Sequence, residues 1–369
     1  MNLADKYSVV IIGYGSMARG WHRWIKTHPN FELEYVIDVN TELLEHLETT
    51  GVVEEGNTYI NIDTLVKLAD KLPDVAVITT PIYTHHVLAT EVMDYDIHTI
   101  CEKNMASTIY QARQMVEYAL NKPKLCTAVG TNYRYSPARW TMKKFLERED
   151  CPIGDLSFMR WEQAGNWGEK RTGWRRWLQE IYLEDMCTHW FDLLRYETGL
   201  DVVQVRCDTF IPKYSKWQGS STAFVNLGLA KPEDFEDRSK WVWCQLYGDW
   251  QRRGPGYSRF EFFGGKGQAE KKPWGVEYKK YLDEDGKKWE EDGYLFMDAG
   301  PMEGIDVPYT DQGFILEMMK RGIESNGKEK PGTHFAEAFK SFAVSMAAIE
   351  SSRTGKAVWV PDYWKGLLD

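Results

Sequence analysis

Short apolar stretches alternate with amphipathic helical stretches in the first third of this chain. The run Val9-Val10-Ile11-Ile12 is β-branched and apolar, which is typical of a strand buried on both faces. The pattern predicts further strands at 31–38, 74–80, 97–101 and 124–129, and helices at 62–69, 85–93 and 108–120. Because strands that alternate with helices favour βαβ units, residues 1–125 are predicted to form one doubly wound parallel sheet.

The pattern changes after Gly130, where strands become longer, aromatic and alternating. These strands are predicted at 155–163, 202–211, 241–248, 257–263 and 274–282, with a hairpin turn at Asp285-Gly286 leading into 287–294. A helix is predicted from about Trp174 through Glu197, and two more helices close the chain. The predicted fold class is therefore α/β, with a second α+β domain at 126–369 built on a large, open, mostly antiparallel sheet.

Composition narrows the class of protein. The chain has 369 residues and a formal net charge of −10, which argues against broad nucleic-acid binding because that requires a basic surface. No apolar run has the length of a membrane span, and the N-terminal residues lack a signal peptide's hydrophobic region. Six scattered cysteines without a CxxC pair indicate free thiols in the cytoplasm, with no zinc site.

A glycine-rich turn follows the first predicted strand. Gly13, Gly15 and Ala18 have the G-x-G-x-x-A spacing, with Ser16 and Met17 opening the next helix. The first glycine permits the tight turn, the second allows a pyrophosphate to approach the backbone, and the small third residue lets the helix pack on the strand. In the context of strand, turn and helix, the motif predicts dinucleotide binding.

Asp38 ends the second predicted strand, about twenty residues after the glycine turn. A carboxylate at this place in a dinucleotide fold holds the adenosine ribose hydroxyls. Because no Arg or Lys follows to neutralise a 2′-phosphate, the sequence favours NAD over NADP. The alternative is a turn aspartate that caps the helix beginning near Thr41.

Three polar stretches lie in apolar settings. The first contains Glu102 and Lys103 after a short strand, where a lysine can meet a nicotinamide and a substrate hydroxyl, or simply form a surface ion pair. In the second, Asp185, His189 and Asp192 fall at i, i+4 and i+7 of a predicted helix, so they line a cleft or form a structural Asp–His pair. The set lacks a second histidine or thiolate at ligand spacing, so no metal is expected.

The third stretch runs from Gly130 to Pro137 at the predicted domain boundary. These three stretches and several others resemble, in order, the motifs of the Gfo/Idh/MocA family of oxidoreductases. The matching segments are GYGSMA, TTPIYTHH, CEKNMA, TNYRYSP, DMCTHWFD, SRFEFFGGKGQA and SSRTGKAVWVP. The resemblance implies a Rossmann domain with an NAD site formed by Gly13, Gly15, Ser16, Met17, Ala18, Asp38, Thr80, Pro81, His85, Glu102 and Lys103.

The resemblance also implies catalytic roles. Lys103 would hydrogen-bond the reacting hydroxyl, His189 would act as the general base, and Asp185 would orient and polarise the site. This sequence departs from the family at Asn104, where proline is usual, and at Cys187, where glycine is usual. Residues 178–184 also replace a frequent glycine run, which leaves the shape of the substrate loop open.

A tryptophan-rich segment at 166–177 precedes the catalytic motif. Aromatic faces beside Arg and Asn suit a sugar, whose C–H face stacks while its hydroxyls form hydrogen bonds, although such tryptophans also pack cores and subunit interfaces. The predicted substrate residues are Tyr133, Arg134, Asn166, Trp167, Trp174, Arg175, Asp185 and His189. The basic residues among them would also suit an acidic sugar.

We therefore expect an NAD-dependent oxidoreductase that acts on a secondary hydroxyl of a sugar, glycoside or cyclitol, with C3 of a glucoside as the specific candidate. Two alternatives remain open at this stage: a self-recycling enzyme of the glycosidase or epimerase type, and a non-catalytic regulator that senses dinucleotide. An open sheet with one uncovered aromatic face also predicts a homo-oligomer, either a dimer, a tetramer or a larger assembly.

Overall fold

The structure of this chain is a computed structural model that describes residues 6–167, 173–281, 285, 288, 293–297 and 300–368. The chain forms two compact units, the first containing residues 1–132 and 309–339 and the second containing 133–308 and 340–369.

The elements up to residue 129 alternate between strand and helix. In chain order they are β1 (Tyr7–Ile12), α1 (Ser16–Thr27), β2 (Phe31–Ile37), α2 (Thr41–Thr49), β3 (Thr58–Tyr59), α3 (Ile62–Leu68), β4 (Val75–Ile78), α4 (Ile82–Asp94), β5 (His98–Cys101), α5 (Ile109–Asn121) and β6 (Thr127–Val129). The six strands form one sheet in the order β3-β2-β1-β4-β5-β6. Every pairing in this sheet is parallel, which confirms the predicted doubly wound sheet.

The remaining elements are longer strands and four helices. In chain order they are α6 (Pro137–Leu146), β7 (Leu156–Ala164), α7 (Thr188–Thr198), β8 (Asp201–Phe210), β9 (Thr222–Ala230), β10 (Val242–Asp249), β11 (Tyr257–Gly264), β12 (Gly267–Lys272), β13 (Gly275–Lys280), β14 (Gly293–Phe296), α8 (Asp311–Glu324), α9 (Phe335–Thr354) and β15 (Val358–Trp359). The predicted turn at Asp285-Gly286 and most of the strand after it lie outside the described residues.

Nine of these strands form the sheet of the second unit, in the order β14-β13-β12-β11-β7-β10-β9-β8-β15. The pairings are antiparallel except that of β7 with β10, which is parallel, so the predicted mostly antiparallel sheet is confirmed. One face is buried, whereas the other presents large aromatic side chains that are more than a third exposed. On the central strands these are Phe158, Phe210, Phe224 and Tyr257.

The predicted continuous helix over 174–197 is wrong. The structure has a 3₁₀ turn at Gly173–Trp177, a π-helical segment at Tyr182–Cys187 and then α7. Packing explains part of the irregularity, because the Tyr182 ring lies directly over Gly248 of β10, where a Cβ atom would come within 1.9 Å of it. Apolar spacing alone does not distinguish helix types, since α and π turns differ by less than one residue per turn.

Helix α8 belongs to the first unit, although it was predicted to lie in the second domain. It packs on α1 where Gly313 faces the Trp24 ring, since a Cβ atom on Gly313 would lie 2.4 Å from that ring. The His28 ring stacks on Tyr309 at 4.5 Å, and its Nε2 lies 3.4 Å from the Glu317 carboxylate. An amphipathic pattern shows that a helix buries one face but does not identify the sheet that covers it.

Candidate functional site

The glycine turn connects β1 to α1 in the first unit. The Gly13 amide donates to the Ile37 carbonyl at 2.7 Å, and the Gly15 amide donates back to the Gly13 carbonyl at 3.0 Å. Gly15 is the N-cap of α1, and none of the described side chains caps this helix end. The first amides of α1 are therefore directed at whatever occupies the space in front of them, together with the positive end of the helix dipole.

The two glycines of the turn have different surroundings. Gly13 has φ +86°, and a Cβ atom there would lie 2.6 Å from Cγ2 of Thr80. A Cβ atom on Gly15 would meet nothing within 4 Å among the described residues. Gly13 is thus required by the protein's own packing, whereas the open space at Gly15 fits a pyrophosphate that approaches the backbone.

Asp38 lies directly after β2 and faces the glycine turn. Its Oδ2 accepts from the Tyr14 amide at 2.8 Å, and its Oδ1 accepts from the Asn40 amide at 2.9 Å. The N-cap of α2 is Asn40, whose side chain accepts from the Leu43 amide. The capping alternative for Asp38 is therefore wrong, and each carboxylate oxygen retains a further lone pair that can accept a ribose hydroxyl.

Thr80, Pro81 and His85 lie at the start of α4, whose N-cap is Pro81. His85 is fully buried, with Nε2 2.8 Å from the Thr80 carbonyl and Nδ1 2.7 Å from the Asn104 carbonyl. Burial lowers the pKa of the His85 imidazole. The predicted cofactor residue His85 is therefore an internal clamp between the loops after β4 and β5, next to Lys103. Its neutral ring has one N–H, so it donates to one of the two carbonyls at a time.

Glu102 has a similar internal position after β5. Its Oε1 accepts from Nε1 of Trp21 on α1 at 2.8 Å, and its Oε2 accepts from the Lys103 amide at 3.1 Å. The side chain is buried, and a Cβ atom on Gly130 would lie 2.9 Å from Oε1. Sequence reasoning missed Trp21, because an indole on an amphipathic helix gives no signal of a distant carboxylate partner.

In the second unit, Asp185 and His189 lie on either side of a change in helix type. Asp185 is in the π-helical segment and His189 is in the first turn of α7, and both side chains are buried. Nε of Arg175 donates to Oδ2 of Asp185 at 2.9 Å. The third predicted member of the polar stripe, Asp192, is paired with Arg134 instead, in a buried ion pair that also receives the Ser341 hydroxyl.

Arg134 was predicted to bind substrate, but in the structure its side chain is buried and forms an ion pair with Asp192. Its guanidinium is only 4% exposed, binds Asp192 through Nε and Nη2, and lies 4.9 Å from the centroid of the Tyr196 ring. Arg139 repeats the arrangement five residues later with the buried Glu197. Since a buried ion pair loses several kcal/mol when one partner is removed, Arg134 holds α7 in place.

Tyr133, the residue before Arg134, contacts His189 directly. The two rings are stacked with centroids 4.0 Å apart and planes 7° apart. Sequence reasoning assigned Tyr133 to the substrate and missed this contact.

The tryptophan-rich segment contacts Asp185 through Arg175. The Trp167 amide donates to the Trp250 carbonyl at 3.0 Å, and the exposed Asn166 pairs with Gln251. The Arg175 guanidinium lies 4.6 Å from the centroid of the Trp174 ring, so one Arg contacts both an indole and Asp185. Residues 168–172 lie outside the described part of the chain.

Within the described residues, no group of three or more His, Cys, Asp or Glu side chains has an arrangement that could hold a metal ion. The same part of the chain contains no helix that is both long and apolar enough to cross a bilayer.

Comparison with known proteins gives a family match for the first unit. Residues 7–130 match the model of the Gfo/Idh/MocA group, described as an oxidoreductase family with an NAD-binding Rossmann fold. Residues 7–130 are thus similar to the NAD-binding domain of this oxidoreductase family. The open space at Gly15 and the exposed side of Asp38 fit the NAD that this family's fold binds.

Two curated relatives of this chain are sugar dehydrogenases. Glucose-6-phosphate 3-dehydrogenase of Bacillus subtilis is 30% identical over 126 residues, which are 34% of this chain and 33% of that protein. Levoglucosan dehydrogenase of Pseudarthrobacter phenanthrenivorans is 28% identical over 178 residues, or 45% of each chain. The chain thus matches less than half the length of these relatives.

Solved structures share the fold over nearly the whole chain. A levoglucosan dehydrogenase in complex with NADH has a TM-score of 0.74 at 19% identity and covers 97% of this chain and 100% of that one. Myo-inositol 2-dehydrogenase from Lactobacillus plantarum has a TM-score of 0.73 at 19% identity, covering 96% and 99%. At this identity the likeness shows the fold alone.

Proposed function

We propose that this protein is an NAD-dependent oxidoreductase that takes a hydride from a secondary hydroxyl carbon of a sugar, glycoside or cyclitol. The observation that carries the proposal is the burial of both Asp185 and His189, four residues apart in the second unit, on a chain whose first unit has the NAD-binding fold. The relatives that are sugar dehydrogenases support this substrate class, and one of them is named for oxidation at C3. C3 of a glucoside is accordingly our specific candidate.

The first unit would hold NAD through three features. The pyrophosphate would lie against Gly15 and the amides of Ser16, Met17 and Ala18, and the adenosine ribose would bind Asp38. No Arg or Lys follows Asp38 in Val39-Asn40-Thr41, which supports NAD over NADP. When bound, NAD supplies the hydride acceptor.

Three side chains would carry the chemistry. Lys103, held by the neighbouring His85–Asn104 clamp, would donate a hydrogen bond to the reacting hydroxyl. His189 would accept the hydroxyl proton as the hydride leaves the same carbon, and Asp185 would orient the sugar and polarise the site. Because Arg175 pairs with Asp185, we propose that it fixes this carboxylate in addition to contacting substrate.

The substrate residues that we retain are Tyr133, Asn166, Trp167, Trp174 and Arg175. The faces of Trp167 and Trp174 would stack on the C–H face of a sugar ring, and the polar groups would receive its hydroxyls. Arg134 is reassigned to support α7, because its guanidinium is buried against Asp192.

Turnover measurements test the proposal. Purified protein with NAD+ and a panel of levoglucosan, glucose 6-phosphate, methyl glucoside and myo-inositol should form NADH, read as absorbance at 340 nm, with at least one sugar. The variants Lys103→Met and His189→Gln should lose at least about a hundredfold in kcat, since general acid–base groups contribute about 10²–10⁴-fold.

Matched substitutions at exposed sites provide the control. Lys67→Met on α3 and His46→Gln on α2 change the same residue types and should leave turnover intact. Normal turnover in both catalytic variants would contradict the mechanism. NAD binding without turnover of any sugar would instead favour a dinucleotide-sensing regulator.

We also propose a homo-oligomer whose subunits meet at the aromatic face of the nine-stranded sheet. The exposed rings Phe210 and Phe224 stack at 5.9 Å, and Phe224 stacks in turn on Tyr247 at 5.1 Å, so the patch is continuous. Contiguous apolar patches of this kind mark interaction surfaces. Light scattering should give at least a dimer, and Phe224→Glu should reduce the mass; a monomeric parent protein would refute the proposal.

A cytoplasmic location remains part of the proposal. It is supported by the six cysteines, which are all free thiols in the structure.

A further inference from the structure

The proposed general base, His189, stacks on the ring of Tyr133. The rings are nearly parallel at 7° with centroids 4.0 Å apart, and the next ring, Trp190, lies tilted at 6.0 Å from Tyr133. His189 is 5% exposed, whereas Tyr133 is 39% exposed. Tyr133 therefore covers one face of the imidazole, while part of its own surface is exposed to solvent.

The stack affects the two protonation states of His189 differently. Neutral aromatic rings prefer offset or edge-to-face arrangements, because the electron-rich faces repel each other. A protonated imidazole over the same phenol face is attracted by the ring quadrupole, as other cations are. A close, parallel stack is thus more favourable for the imidazolium than for the neutral ring.

Most charged groups on the elements around α7 are paired with a group of opposite charge. Their charges therefore do not substitute for the stabilisation of the His189 imidazolium by the Tyr133 ring. Asp185 is paired with Arg175, Asp192 with Arg134, Glu197 with Arg139, and Asp201 with both Arg195 and Lys340. The other charged groups on the π-helical segment and on α6 are Glu184, Lys143 and Lys144. The ring face of Tyr133 is the group in direct stacking contact with the imidazole.

We propose that Tyr133 is a positioning residue that fixes the plane of the His189 ring and favours its protonated state, thereby strengthening it as a proton acceptor. The proposal rests on the proposed role of His189 as general base. It assigns to Tyr133 a contact with the base itself, beside the role in substrate binding that the proposed function retains.

The test is the pKa of His189, measured by NMR titration of the imidazole resonances in the full-length protein, with His189→Gln to assign the signal among the eight histidines. Tyr133→Phe retains the ring and should keep the parent value. Tyr133→Leu retains apolar cover but removes the π face, and should lower the pKa by roughly half a pH unit. Tyr133→Trp presents a stronger π face and should raise it, which keeps the test available if the leucine variant does not fold.

Two results would overturn the inference. One is an unchanged His189 pKa in both the leucine and the tryptophan variants, and the other is an equal shift in the phenylalanine variant, which would assign the effect to the hydroxyl. This titration requires neither substrate nor NAD, so its outcome is separate from that of the turnover assay. Where turnover is measurable, the acidic limb of the pH profile of kcat should move to lower pH in Tyr133→Leu and stay in place in Tyr133→Phe.

Discussion

Gly13 and Gly15 lie two residues apart in one turn, yet a side chain at each would meet different surroundings. At Gly13 it would combine a positive φ with a clash against Thr80, so the protein itself excludes it. At Gly15, φ is −88° and the space is open among the described residues, so only a bound ligand would exclude it. The same motif thus contains one folding residue and one candidate binding residue.

Alanine substitutions should separate these two roles. Gly13→Ala should lower the free energy of unfolding by about 1–3 kcal/mol, because a non-glycine residue is strained at positive φ. Gly15→Ala should change it by less than about 0.5 kcal/mol while weakening NAD binding at least about tenfold. Chemical denaturation and NAD titration measure the two effects. Unchanged NAD affinity in a folded Gly15→Ala protein would contradict the pyrophosphate assignment.

At the scale of elements, the segment from the 3₁₀ turn to α7 connects Arg175, Asp185 and His189 through three helix types. Its anchor is Tyr182, whose hydroxyl accepts from Nε1 of Trp190 at 3.1 Å and whose ring covers Gly248. π-helical turns are often found at functional sites. Here the turn is held by contacts with the sheet of its own unit.

A methyl group at position 248 should therefore disturb this segment. Gly248→Ala places a Cβ atom 1.9 Å from the Tyr182 ring and should lower the free energy of unfolding by about 1–3 kcal/mol, as overpacking does. Gly265→Ala is the matched control, because its Cβ atom would have nothing within 4 Å. Thermal denaturation of both variants gives the comparison. Equal stability of the Gly248→Ala and Gly265→Ala variants would show that the Tyr182 ring moves aside at no cost in stability.

Particular residues show how much of this structure could be predicted from the sequence. The strand-turn-helix at Val9–Ala18 was predictable because the turn, the strand and the helix are adjacent and each residue type has a local reason. The Arg175–Asp185 pair, the His85 clamp and the Tyr133 stack depend on side chains brought together by tertiary packing. The Arg134–Asp192 ion pair was unpredictable for the same reason, since the two residues lie far apart along the chain.

At the scale of the whole molecule, the first unit contains several histidines whose pKa is lowered by burial. Burial lowers the pKa of five histidines from the ordinary value of 6.5, and all five lie in the first unit. They are His22, His28, His85, His86 and His98. Below pH 6.5 the unfolded chain binds protons at these positions more readily than the folded unit does, so stability is lost as the pH falls.

The first unit should therefore melt at lower temperature at pH 5.5 than at pH 7.5, by about 2–4 °C for each ~1 kcal/mol lost. Two partly buried acids of this unit, Glu91 and Asp311, oppose the trend because burial raises their pKa values. Scanning calorimetry of the full chain measures the effect. His98→Asn should reduce the pH dependence. An unchanged melting temperature between the two pH values would contradict the assignment.

The first unit is built from two stretches that are far apart along the chain, because α8 returns to pack on α1. During synthesis, the six-stranded sheet emerges from the ribosome well before residues 309–339. At about 5–20 residues per second, its α1 surface waits roughly ten to forty seconds without its final cover. The nascent protein would therefore expose apolar surface around Trp24 throughout the synthesis of the second unit, so the yield of this protein in cells should depend on chaperones that bind unfinished chains.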